Sequence, residues 1–212
     1  MEHLKKLGKA MGKLHQALAA YPAQTLPNVA DECLALHNRM QRYFTNMHVV
    51  AALRQKLALA VIGTQYAPLL QLTKKFPGQQ ALHMDFVRGN ILFESTKITG
   101  IIDFEKASHG HILYDIARTL AFLLVDCKYK PEAKVRKYFL QSGYVKRGGH
   151  AVRDIVIKGE SVLEQLIDFF LLHDFYKFLR HNPYEYLPQN EHFTRTKMML
   201  LKRGIIAPAR VE

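Results

Sequence analysis

Apolar residues recur every three or four positions at the start of the chain, at Leu4, Leu7, Met11, Leu14 and Leu18. That spacing predicts a helix over 2–20, closed by Tyr21-Pro22. Asn28, with Glu32 close behind, opens a second predicted helix that reaches about Phe44. The next apolar run, 48–75, is long, and Pro68 is expected to kink or split it. After Pro77-Gly78 the pattern changes. Short apolar runs at Ala81–Met84, Ile91–Phe93 and Ile98–Ile102 are separated by polar loops, which predicts strands and a hairpin turning at Glu94–Lys97. Helical patterning returns at Ile112–Cys127, Pro131–Gln141, 151–181 and about Glu191–Lys202, with a turn at 144–150 and a loop at 182–189. No repeat, low-complexity tract or linker divides the sequence. One mostly helical domain of α+β class is therefore expected over residues 1–212.

The strand ends carry the chemistry. His83-Met84-Asp85-Phe86-Val87-Arg88-Gly89-Asn90 is followed, thirteen residues after Asn90, by Asp103 in Ile101-Ile102-Asp103-Phe104-Glu105. Magnesium prefers oxygen ligands and keeps several waters, so one or two protein oxygens plus phosphate oxygens complete a site. Asn90 and Asp103 supply a neutral and an anionic oxygen. Asp85, five residues before Asn90, is placed to face a substrate hydroxyl and accept its proton as a phosphoryl group transfers. Ordinary turn-capping Asp and Asn residues would account for any one of these positions. The combined order and context favour the chemical reading.

The segments LHMDFVRGNILF and GIIDFEKASHGHILYDIARTL resemble the catalytic core of the aminoglycoside phosphotransferase and choline kinase-like family, small-molecule relatives of the protein kinases. The stretch Leu7–His15 is similar to the first long helix after the hinge in those enzymes. The resemblance implies a protein-kinase-like C-terminal lobe with a small β-hairpin at the catalytic loop. It assigns Asp85 as catalytic base, Asn90 and Asp103 as magnesium ligands, and Asp115 as a brace for the loops. His83 would pack the catalytic loop, and Leu92 and Ile102 would floor the adenine pocket. Arg88, Glu105 and His109 are candidates for contact with substrate or phosphate. ATP as co-substrate, Mg2+ as cofactor and a small-molecule hydroxyl acceptor follow from the same resemblance.

Three departures stand out. The chain begins at the helix, so the family's N-terminal β-lobe, with its phosphate-covering loop and lysine, is expected to be absent, and a fragment is one reading of that. Met84 stands where the family usually has Gly, and Phe86-Val87-Arg88 where it often has Leu, His and Pro. The acceptor pocket is expected from the helices after Asp115, roughly 130–200. Acidic residues there, among them Glu132, Asp154, Glu164 and Asp168, suit a cationic amine, but Lys and Arg outnumber the acids, which favours a neutral or anionic acceptor.

Composition narrows the alternatives. At 212 residues and 49% hydrophobic, the chain can bury a sizeable core. Cys33 and Cys127 give no disulfide framework or zinc spacing, which points to a reducing cytoplasm. The apolar run near Thr119–Val125 is far shorter than the ~20 residues a membrane span needs, and Met1–Lys6 leads into no signal-peptide core. A net charge of +12 raises nucleic acid as a partner, yet the basic residues are dispersed and no interleaved aromatics accompany them. Attraction of a phosphate-bearing nucleotide uses the charge better. His173-Asp174, with His150, His181 and Asp126, invites a metal-dependent hydrolase reading, which a half-buried helix-face pair outweighs. Besides the kinase lobe, two readings stay open: a non-catalytic kinase-derived binding module and a basic nucleic-acid-associated protein.

Overall fold

The computed structural model describes residues 1–23, 25–63, 65–146, 153 and 155–209. The predicted His150, Asp154 and most of the turn at 144–150 lie outside the described residues. The chain is mostly helical with small antiparallel sheets.

Helix α1 (Glu2–Leu18) follows the predicted apolar stripe and buries Leu4, Met11 and His15. Helix α2 (Val29–Phe44) starts where expected because the Asn28 side chain accepts the N–H groups of Ala30 and Asp31 at 3.0 and 3.3 Å. The long apolar run after it divides into α3 (Met47–Leu57), strand β1 (Leu59–Val61) and α4 (Ala67–Thr73), with Pro68 in the first turn of α4. The division at β1 was not foreseen, since its partner β6 (Ile206–Pro208) lies at the far end of the chain.

Strand β2 (Gln80–Leu82) pairs with β5 (Ser108–Gly110), and β3 (Ile91–Glu94) forms the expected hairpin with β4 (Lys97–Ile101). His109 and Gly110 thus lie in a strand between Asp103 and the helix that follows. Helix α5 (Leu113–Asp126) is buried along most of its length and packs against the long α7 (Glu160–His181). The predicted helix at Pro131–Gln141 is instead a short α6 (Glu132–Arg136) that widens into a π-helical segment, Lys137–Val145. That segment lies on α1, and the approach is close: a Cβ on Gly8 would sit 2.0 Å from the Phe139 carbonyl oxygen. Helix α8 (Glu191–Lys202) is capped by Asn190, whose Oδ1 accepts the Phe193 N–H at 2.9 Å. Buried apolar residues from Leu4 to Ile206 form one core cluster. No helix among the described residues is long and apolar enough to cross a membrane.

Candidate functional site

Asp115, at the start of α5, organises the loop between β2 and β3. Its Oδ2 accepts the backbone N–H of His83 at 2.8 Å and its Oδ1 that of Met84 at 2.9 Å. His15 Nε2 of α1 hydrogen-bonds Oδ2 at 3.1 Å, and its Nδ1 pairs with the Tyr144 hydroxyl at 2.6 Å. Asp115 is 0% exposed. Burial pushes its pKa up, but the hydrogen bond and charge of His15 and the backbone donors outweigh that and hold it below the usual value.

His83 ties the loop to the second motif. Its Nδ1 accepts the Asp85 N–H at 3.1 Å, which leaves Nε2 to donate to the Ile102 carbonyl at 3.1 Å. The ring packs on Phe86 and Phe104. Between them the chain turns through Met84 at φ 57°, in the left-handed region that costs a side-chain-bearing residue about 1 kcal/mol or more. Asp103 also has a positive φ, 64°.

These constraints aim the Asp85 carboxylate at two cations. Lys106 Nζ reaches Oδ2 at 2.7 Å and Arg118 Nη2 reaches Oδ1 at 3.0 Å. Asn90 Nδ2 donates to the Asp85 carbonyl at 3.0 Å and to Oδ2 at 3.2 Å. Burial raises the Asp85 pKa, but Lys106 and Arg118 together outweigh it, so the carboxyl is held below its usual range. Neither cation was singled out from sequence. Arg118 left a signal, because it lies three residues after Asp115 on an otherwise apolar helix and so shares its face.

Asn90 and Asp103 are brought near one another by the hydrogen bond from the Ile102 N–H to the Asn90 carbonyl, at 3.0 Å. With its amide nitrogen spent on Asp85, Asn90 turns its Oδ1 away from that carboxylate. Asp103 is exposed, and one of its oxygens takes only a long contact of 3.4 Å from the Glu105 N–H. One carboxamide and one carboxylate oxygen, both accessible, fit a hard cation that phosphate and water complete. No group of three or more His, Cys, Asp or Glu suited to a metal occurs among the described residues. Leu92 and Ile102 are 46% and 44% exposed, on one side of the hairpin region.

The three remaining candidates separate. Glu105 walls a cavity of about 270 Å³ that also includes Met84, Lys106 and Arg118. Arg88 instead lines a different cavity of about 430 Å³, against α1 and α5. His109 is fixed in β5, its N–H donating to the Pro27 carbonyl at 2.7 Å. The cavity beside Asp85 is walled mainly by α2 and the segment after Asp103; only Phe170 and His173 come from the 130–200 region expected to supply it. A larger lysine-lined groove of about 840 Å³ between α1 and β4 includes none of the predicted site residues. Asp174 is engaged by His192 at 3.0 Å and Thr196 at 2.8 Å, a structural cluster between α7 and α8.

A loop carrying Asp85 and Asn90, tied to the segment that carries Asp103 and braced by buried Asp115 from the next helix, is what the resemblance to the phosphotransferases leads one to expect. The family model described as the phosphotransferase enzyme family, APH, matches residues 1–141, and the chain belongs to that family. Homoserine kinases from Pseudomonas aeruginosa strains LESB58 and UCBPP-PA14 are each 31% identical to it over 120 residues. The match covers 56% of this chain and 35% of each relative, so the chain matches about a third of the length of these curated relatives.

Proposed function

We propose that the chain is the catalytic and substrate-binding lobe, folded as one domain, of an ATP- and magnesium-dependent kinase acting on a small-molecule hydroxyl. The observation that carries this reading is the Asp85 carboxylate, oriented by Asn90, Lys106 and Arg118, the last two of which wall a small adjoining cavity. In this reading Asp85 accepts a hydrogen bond from the acceptor hydroxyl and aligns its oxygen on the γ-phosphorus. The new P–O bond forms as the bond to the β-phosphate oxygen breaks; the hydroxyl proton passes to Asp85 and ADP leaves. A carboxyl held at low pKa takes that proton late, so its chief contribution is orientation. Asn90 Oδ1 and an Asp103 carboxylate oxygen would hold magnesium, which supplies charge neutralisation at the phosphates. Lys106 is placed to move from Asp85 to a phosphate oxygen once nucleotide arrives. Exposed Leu92 and Ile102 offer the apolar surface on which adenine rests. Two free cysteines, one buried and one half-buried, accord with a cytoplasmic setting.

The test is Mg2+- and ATP-dependent phosphorylation, followed by phosphorus NMR, of a hydroxyl-compound panel that includes homoserine, the substrate in the relatives' name. Asp85→Asn should lower transfer by about a hundredfold or more with the circular dichroism spectrum retained. Undiminished transfer by Asp85→Asn would overturn the assignment.

A further inference from the structure

Among the described residues, strand β4 has a strand partner on one side only. Its five residues, Lys97–Ile101, pair with β3, and the second edge of the hairpin carries no strand. Such an edge presents backbone N–H and C=O groups in alternation and can template a further strand. Helix α1 lies beside it, and the space between them is a groove of about 840 Å³. Just before the strand, Lys6 Nζ donates to the Thr96 carbonyl oxygen at 2.9 Å, so a side chain of α1 already serves one backbone acceptor there.

The groove carries charge of one sign. Among the described residues, Lys6, Lys9, Lys13, Lys97 and Lys146 line it, no Asp or Glu does, and none of these lysines forms an ion pair. Lys6, Lys9 and Lys13 are spaced three and four apart on α1 and so share one face. Ala10, Leu14, Ile98 and Ile101 give the walls apolar patches. No Phe, Tyr or His among the described residues lines it, so nucleobases find no platform on which to stack. A phosphodiester chain would also offer the edge only acceptors, whereas the edge needs donors and acceptors in turn. A peptide backbone supplies both. A second copy of this chain is repelled, because it brings the same Lys97 edge on a protein of net charge +12.

We propose that the open edge of β4 and the lysines of α1 form a docking groove for an extended acidic segment of a partner protein, which adds to the hairpin as a third strand. The five residues of β4 offer an edge about 17 Å long. Backbone hydrogen bonds along that edge supply affinity, and side chains at every second position supply selectivity. Glu or Asp at alternate positions, with β-branched residues between, matches the pleat and brings the carboxylates to one side, where the lysines are. The inference stands apart from the phosphotransferase reading, since Asp85, Asn90 and Asp103 do not line the groove.

Fluorescence anisotropy of the full chain with a labelled peptide of alternating Glu and Val tests this. The peptide should saturate the protein, and a Lys-Val counterpart should not bind. The double substitution Lys9→Gln/Lys13→Gln, at two exposed positions of α1, should weaken the peptide by about tenfold or more and leave the thermal midpoint unchanged. Two further peptides, N-methylated at the odd or at the even amides, distinguish strand addition from charge attraction alone. Only every second amide of an added strand faces its neighbour, so one of them should lose about tenfold or more while the other binds like the parent. Equal effects of the two methylations overturn the proposal. So does a peptide that fails to saturate, or one whose affinity survives Lys9→Gln/Lys13→Gln. Single-stranded oligothymidine and phosphatidylserine vesicles are titrated alongside. Binding of either that exceeds the peptide's and falls in the double variant would reject the peptide and assign the groove to that anion.

Discussion

Asp115 Oδ1 accepts the backbone N–H of Met84 at 2.9 Å, and this bond holds Met84 in a left-handed conformation at φ 57°. A glycine would take that conformation without strain, which makes sense of the Gly usual at this position in the family that the sequence resembles. Here the side chain is buried, 4% exposed, so it contributes packing while the backbone is strained.

The balance at Met84 can be read from two variants. Losing a buried methionine costs about 2–5 kcal/mol, more than the ~1 kcal/mol of backbone relief, so both Met84→Ala and Met84→Gly are destabilised. At an ordinary position glycine would be the worse replacement. With φ positive the order reverses, and Met84→Gly should be more stable than Met84→Ala by about 1 kcal/mol in urea denaturation. Equal stability, or a less stable glycine variant, would show that the loop relaxes out of the left-handed region.

Asp115 itself sets how stability depends on pH. Its folded pKa is depressed, so its contribution is present above the ordinary carboxylate value near 3.8 and is lost as pH falls through the lower folded value. Asp85 acts in the same direction. Stability should therefore begin to fall with acidity below about pH 4, where the unfolded chain takes up a proton that folded Asp115, held by His15, His83 and Met84, still refuses. Asp115→Ala, which orphans two buried backbone donors, should cost about 3 kcal/mol at neutral pH and flatten the acid limb of the curve. An acid limb that keeps its slope in Asp115→Ala would assign the effect to other groups.

The contact between α1 and the π-helical segment rests on two glycines. A Cβ on Gly8 would meet the Phe139 carbonyl oxygen at 2.0 Å, and one on Gly143 would meet Gly8 Cα at 2.9 Å. Those obstacles are backbone and cannot swing aside. Gly8→Ala should therefore cost about 3 kcal/mol, despite alanine's better helix propensity. A thermal midpoint equal to or above that of the parent protein would mean the segment shifts freely.

What was legible in the sequence follows from locality. Asn28, the spacing of Leu4 to Leu18 and the Asp85–Asn90 motif write their structure into neighbouring residues, and α2, α1 and the β3–β4 hairpin stand where expected. Strands β1 and β6 are three residues each and pair Leu59 with Pro208, so no local pattern announces them. The π-helical widening at Lys137–Val145 lies where α1 crowds the chain with Gly8 against Gly143, a tertiary cause that helical periodicity does not register. At the site, the carboxylates were marked by their motif. Lys106 and Arg118, which hold Asp85, come from the Asp103 loop and from α5, and only the folded chain joins them.

Lys106 gives the sharpest test of how that carboxylate is tuned. Its side chain is about half exposed, so it can be replaced with little cost to the core. Burial drives the Asp85 pKa up, and the Lys106 hydrogen bond is the largest of the influences that bring it down. In Lys106→Met the burial effect is opposed by Arg118 and the Asn90 amide without the lysine, and the Asp85 pKa should rise. The folded carboxylate then protonates at higher pH, so the acid limb of a carbon-13 NMR titration of Asp85 should move upward. If Asp85 serves as base, the acid limb of the rate profile should move the same way. An NMR titration unchanged by Lys106→Met would mean that Arg118 and Asn90 suffice to hold the ionised form. A shift in the NMR titration without one in the rate profile would separate the electrostatics of Asp85 from its part in catalysis.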